Sequence, residues 1–175
     1  MITTTEAPVT RVVGESALAA AVVEALGGLR AVAASACIVP PLPPATPLAE
    51  LTDERLAADV GDTLDAVLVQ VQRECERLRG GGRLVFVLPH APLMGASGSA
   101  AASAVAGGLL SMARTLAIEL ARDAITVNTL AVDAASPPVS ALSAQLGTLL
   151  GPGGETITGQ EIYLTAGHDL GRLRP

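Results

Sequence analysis

No lysine occurs anywhere in the 175 residues; all eleven basic side chains are arginine. That excludes Schiff-base chemistry and any proton relay that leans on a lysine. Aromatic residues are almost as scarce, with one Phe, one Tyr (Tyr163) and no Trp, so any core has to be aliphatic. There is a single asparagine, Asn128. Cys37 and Cys75 stand alone in different segments, and His90 and His168 add no short-spaced cluster, which excludes a disulfide framework or a zinc site and leaves two free thiols. The N-terminus "MITTTEAPVT" lacks the basic and apolar regions of a signal peptide. No Asp, Glu or Arg falls between Leu84 and Ala113, yet Pro, Gly and Ser are too dense there for a membrane span. With a net charge of −6 and no basic stripe, nucleic acid is not an expected partner. The expectation is a cytoplasmic protein that binds neither nucleic acid, membrane nor metal.

What is present is mostly apolar: 50% of residues are hydrophobic and 16% charged, which argues for a folded chain with a real core. Five apolar runs read as strands, at 9–13, 30–39, 83–88, 125–132 and 161–165. Helical patterns lie between them at about 15–27, 52–79 and 97–122, with a weaker one near 138–150. Such alternation predicts a single α/β domain over 1–175: a Rossmann-like, three-layer fold around a mostly parallel sheet of about five strands with helical crossovers. Residues 1–8 are expected to be a flexible N-terminus and "PPLPPATP" (40–47) a stiff surface loop.

Thr52, Asp53 and Glu54 open the second helix at its positive end; Arg73, Arg77 and Arg79 close it and Gly80 to Gly82 stop it. On the 97–122 helix an apolar arc runs from Ala102 and Ala106 to Leu120, opposite a face of small residues: Ser103, Gly107, Gly108, Ser111 and Thr115. Small residues let a second helix approach closely. Together with Leu64, Val67 and Val71 of the preceding helix they form a candidate partner interface; a merely solvated, serine-rich face is the alternative.

Four runs in order resemble the short-chain dehydrogenase/reductase family: "PLAELTDERLAADVGDTLDAVLVQVQ", "GGGRLVFVLPHAPLMG", "ARTLAIELARDAITVNTLAVDAASP" and "TITGQEIYLTAG". The resemblance covers about the C-terminal two thirds of such an enzyme, and "VTRVVGESALAAAVVEALGGLRAVAAS" is similar to the third strand, its helix and the fourth strand. It implies an N-terminally truncated sheet taken from the strand order 3-2-1-4-5-6-7. The strand at 9–13 would then move beside the fourth strand or dock elsewhere, and one sheet face would be under-covered unless the weak helix near 138–150 suffices. The family transfers hydride with a YxxxK pair, an upstream Ser and a helix Asn. Aligned without gaps, those positions carry Ala102 and Ala106 for the Tyr and Lys, Pro89 for the Ser and Thr63 for the Asn. The Gly-rich cofactor turn TGxxxGxG has no counterpart beyond "VVGES" (12–16). The NNAG segment becomes Ala34, Ser35, Ala36 and Cys37, and the Pro-Gly pair beside the nicotinamide becomes Val132 and Asp133.

The resemblance therefore implies a chain with no catalytic residues and no cofactor of its own. Its role would be that of a pseudoenzyme subunit that pairs, through the 52–79 and 97–122 helices, with an active NAD(P)-dependent reductase and stabilises or completes it. Homodimerisation as a scaffold or binding protein is one alternative. Another is an enzyme of a different class that uses the cleft near His90, with Ser97, Ser99 or Ser103 as nucleophile; no GxSxG elbow or ordered Ser/Asp/His set supports it.

Overall fold

The computed structural model describes residues 9–167. The expected flexible segment 1–8 and His168 lie outside the described residues. In chain order the elements are β1 (Thr10–Val13), α1 (Ala17–Leu26), β2 (Ala34–Ile38), α2 (Asp53–Leu78), β3 (Gly82–Pro89), α3 (His90–Met94), α4 (Ala100–Glu119), β4 (Ile125–Val132), α5 (Val139–Leu150) and β5 (Glu161–Leu164). The five strands form one parallel sheet in the order β1-β2-β3-β4-β5, a Rossmann-like α/β fold as expected. β2 begins at Ala34, not at 30, where it meets Gly82, the first residue of β3; β1 joins one residue later, Thr10 beside Ser35.

Local chemistry sets the boundaries. The Ser16 hydroxyl accepts from the Ala19 amide at 3.1 Å and starts α1; Thr52 does the same for Arg55 at 3.2 Å and starts α2. Gly80 and Gly81 take φ of 87° and 126°, a turn that stops α2 and aims the chain into β3. β3 and β4 are apolar along nearly their whole length and buried on both faces, as a central parallel strand requires. The sole asparagine is a structural tie: its Nδ2 donates to the Ile157 carbonyl (2.8 Å) and its Oδ1 accepts from the Gln160 amide (3.0 Å), which positions the chain for β5.

One sheet face packs Val85, Val87, Leu130 and Val132 against Leu18 and Val22 of α1 and Leu142, Leu146 and Leu149 of α5. The other packs Ile38, Leu84, Phe86 and Leu88 against Val67, Val71 and Leu78 of α2 and Val105 and Leu109 of α4. The weak 138–150 pattern is a full helix that packs beside α1 and suffices to cover that face. α4 with the turn after it (100–123) is long and apolar enough to cross a membrane by length and composition; here its apolar side lies on the sheet.

The strand at 9–13 takes the first of its two expected placements, beside β2. Its helix does not fit the third position in the order, however. Where crossovers are right-handed, helices of strands that step the same way share a face. A third helix would share the face of α2 and α4, whereas α1 lies opposite, with α5. All four steps across this sheet run in the same direction, so the β1-α1-β2 and β4-α5-β5 crossovers have the opposite hand to the other two.

Candidate functional site

In open parallel sheets the ligand crevice forms at the carboxyl ends of the strands, where the strand order reverses. Here the order runs straight from β1 to β5 with no reversal. The carboxyl ends carry Gly14 to Ser16 after β1, Val39 to Pro41 after β2, Pro89 and His90 after β3, and Val132 and Asp133 after β4.

Ala102 and Ala106 sit in the first turns of α4 at 5% and 0% exposure, so their methyl groups face protein, not solvent. Pro89 ends β3 and starts the short helix α3. Thr63 lies on α2 and bonds its own helix: its hydroxyl donates to the Asp59 carbonyl at 2.7 Å. No side chain of this group presents a proton to a shared point.

The polar groups nearby are occupied with structure. His90 Nδ1 lies 3.1 Å from the Val132 carbonyl and ties the end of β3 to the end of β4. Ser103 Oγ donates to the Pro92 carbonyl at 2.8 Å and pins α3 to α4, so it is not a free contact for a partner. The Asp133 carboxylate accepts from the Ala135 and Ser136 amides at 3.0 and 3.4 Å and closes the loop after β4. His90 and Ser103 are thus each engaged by a different backbone carbonyl.

The NNAG-like stretch is displaced from its expected place. Ala34 to Cys37 lie inside β2, not after it, and the residues that follow the strand are Val39, Pro40 and Pro41. Cys37 is fully buried, and burial pushes its thiol up to about 12; the half-buried Cys75 thiol is also raised, first by burial and then by Glu74.

Val67 and Val71 do not reach the outer face of the helix. They are 1% and 2% exposed and belong to the layer between α2 and the sheet. Leu64 is half-buried against Gly108, where a Cβ would sit 3.8 Å from a Leu64 methyl. Gly107, Ser111 and Thr115 do point outward, and a Cβ on Gly107 would meet nothing within 4 Å. The apolar residues that stand outward on this side are Leu56, Leu68 and Val69 on α2 and Ile118 on α4, the last 80% exposed. Their signal in the sequence was their position off the main apolar stripe.

With this arrangement in view, the comparisons with known proteins are direct. A family described as enoyl-(acyl carrier protein) reductase matches residues 5–143, most of the chain. The chain belongs to the short-chain dehydrogenase/reductase family. Among curated proteins nothing matches. Solved structures of short-chain dehydrogenases/reductases share the fold at low identity. One from Brucella melitensis, named for glucose/ribitol dehydrogenase, has a TM-score of 0.74 at 17% identity, with 91% of this chain and 95% of that chain covered. One from Mycobacterium ulcerans has a TM-score of 0.74 at 15%, covering 93% and 90%. A 4-hydroxyisoleucine dehydrogenase complexed with NADH has a TM-score of 0.62 at 16%, covering 74% and 66%.

Proposed function

We propose that this short-chain dehydrogenase/reductase chain is a non-catalytic subunit, which pairs with an active NAD(P)-dependent member of the family and stabilises or completes it. The observation that carries the reading is the pair of buried methyls, Ala102 and Ala106, on the helix wall that aligns with YxxxK, in a chain with no lysine at all. A proton donor and its lysine need a polar, accessible wall; this one is packed.

The cofactor turn supports the same reading. A pyrophosphate needs free backbone amides at the start of the first helix. In this chain the Ser16 hydroxyl already holds the Ala19 amide, exposed Glu15 puts a carboxylate beside the turn, and Gly14 is jammed against β2, its missing Cβ falling 2.3 Å from the Val39 carbonyl oxygen. These residues do not fit a dinucleotide, and the nicotinamide cofactor belongs to the partner. We infer that what the chain lacks relative to its family is internal, between α1 and β2. The place of β1, the face taken by α1 and the 95% coverage of the Brucella structure support that placement over an N-terminal loss.

The partner surface is the outward side of α2 and α4, where Gly107 and Ser111 allow a helix to come close and Leu68, Val69 and Ile118 supply apolar area. The test is purification through a tag from the native host. A second chain with an intact YxxxK motif is expected in fixed ratio, with NAD(P)H turnover only in the complex. Gly107→Leu, whose Cβ would meet nothing within 4 Å in its own chain, is expected to release that partner at least tenfold more readily without lowering the thermal midpoint. Recovery of this chain alone as a stable homo-oligomer would overturn the proposal and favour a self-associating scaffold.

A further inference from the structure

We propose that the proline-rich segment 40–47 is a recognition element, a preformed polyproline II ridge that another protein grips in a groove lined by Tyr or Trp side chains. Pro40, Pro41, Pro43, Pro44 and Pro47 make up most of it. Each proline fixes its own φ and holds the residue before it in extended backbone, so from Val39 to Pro47 only Ala45 escapes both constraints. The chain accordingly runs from Pro41 to Pro47 without helix, strand, turn or bend. Pro47 has φ of −54° and ψ of 143°, within the spread of polyproline II.

Polyproline II turns once in about three residues, so every third side chain shares a ridge. Burial along the segment follows that period. Pro40 and Thr46 are buried and Pro43 is half-buried, and this ridge faces the protein. Pro41, Pro44 and Pro47 are all exposed; Ala45 and Leu48 stand exposed beside them, Leu48 at 80%. The ridge is also clamped in place. The Val39 amide donates to the Val13 carbonyl at 2.8 Å where the segment begins, and the Thr46 amide donates to the Gly98 carbonyl at 2.8 Å. Past its end the Glu50 amide donates to the Pro47 carbonyl at 2.9 Å. A ligand already held in its bound shape gives up little conformational entropy on docking.

The chemistry of the ridge selects its occupant. Proline rings offer flat apolar faces and no N–H, and their complement is a row of aromatic rings that stack on them while a Tyr O–H or Trp N–H donates to the ligand's carbonyls. A second copy of this chain cannot build such a groove: it has no Trp, Phe86 is fully buried, and Tyr163 is its single tyrosine. Charge narrows the class further. No basic residue falls between Arg30 and Arg55, while Glu50, Asp53 and Glu54 are exposed directly after the ridge. The matching groove therefore carries Arg or Lys at its flank. The ridge includes none of Leu68, Val69, Gly107 or Ile118, so it does not depend on the pairing through α2 and α4.

Photo-crosslinking of the full chain in its native host tests this, with p-benzoylphenylalanine replacing Ala45 and, in a separate control, Ile118. Far-UV circular dichroism confirms that each variant is folded. The group at 45 is expected to join a different protein, at a peptide with clustered Tyr or Trp, and an excess of synthetic peptide 39–50 is expected to compete it away. Pro41→Ala with Pro44→Ala, on the outward ridge, is expected to lower this capture at least tenfold. Pro43→Ala, on the inward ridge, is expected to leave it within twofold. No capture at 45 overturns the proposal, as does attachment to another copy or to a site without aromatic residues. Capture that the outward pair leaves intact, or that Pro43→Ala lowers as much, overturns it too. Capture at 118 with none at 45 sinks the ridge and leaves the α2 and α4 pairing standing, so the two readings fail separately.

Discussion

Gly14 shows how one residue can close a site and hold a fold. It follows β1 directly, with φ of 150°, and its ideal Cβ would fall 2.3 Å from the Val39 carbonyl oxygen and 3.1 Å from the Val39 Cβ. The neighbour is the buried backbone just after β2, so neither side can yield cheaply. Strained φ and overpacking each cost a few kcal/mol, and Gly14→Ala is expected to lower stability by about 3 kcal/mol. In a chain of this size that is a fall of roughly 10 °C in the thermal midpoint, read by circular dichroism. A midpoint within a degree or two of the natural chain would mean that β1 and β2 are not held this closely. In a dinucleotide-binding turn the same small residue serves close approach to phosphate; here its space is taken by the neighbouring strand.

At the scale of elements, most of the fold was legible because strands and helices announce themselves by period. The runs at 83–88 and 125–132 read as strands from their apolar content, and both are buried end to end, the polar Arg83, Thr126, Asn128 and Thr129 included. The weak pattern at 138–150 was underestimated because its leucines carry the burial with no charged face to set them off. The helical turn α3 was invisible, its five residues being too few to show a period and containing Pro92. Leu64, Val67 and Val71 misled for a plain reason. They form the strongest apolar stripe on α2, and the strongest stripe is the one the sheet takes, leaving Leu68 and Val69 for any partner. The candidate site was legible as a set of missing groups, but the burial of Ala102 and Ala106 was not, and that burial has a consequence. Rebuilding the pair as Ala102→Tyr with Ala106→Lys is expected to give no NAD(P)H oxidation. Ala106→Lys alone, at a position with 0% exposure, is expected to cost at least about 3 kcal/mol through an unpaired buried ammonium. Tolerance of that lysine, seen as an unchanged denaturation midpoint, would mean the wall opens to solvent as an active site would.

Across the whole molecule, the crossover hand is the feature that local sequence could not reveal, since each strand–helix–strand unit reads the same whichever face its helix takes. Two crossovers of each hand leave α1 and α5 as one layer and α2 and α4 as the other, with the sheet shared between them. Each layer meets strands that the other also covers, so neither can leave without exposing β3 and β4, and the chain should unfold in one step. Two probes with different reach test it. Far-UV circular dichroism follows all the helices, while the Cys37 thiol lies among the side chains packed under α1 and α5. Burial holds that thiol up to about 12, above its ordinary 9.0. At about pH 8.5 it should therefore stay unreactive until the layer opens, whereas the unfolded chain reacts at once. The sign of the linkage follows: Cys37 adds stability in full below about 9, and that share is lost as pH climbs from 9 toward 12. In denaturant at the lower pH the two transitions are expected to coincide. Leu146→Ala in one layer and Leu109→Ala in the other, both 0% exposed, should each cost about 3 kcal/mol and shift both probes together. If Leu146→Ala instead exposes Cys37 at denaturant concentrations where the dichroism is unchanged, then the α1 and α5 layer is a separable lid on the sheet, and the opposite-handed crossovers are its weak seams.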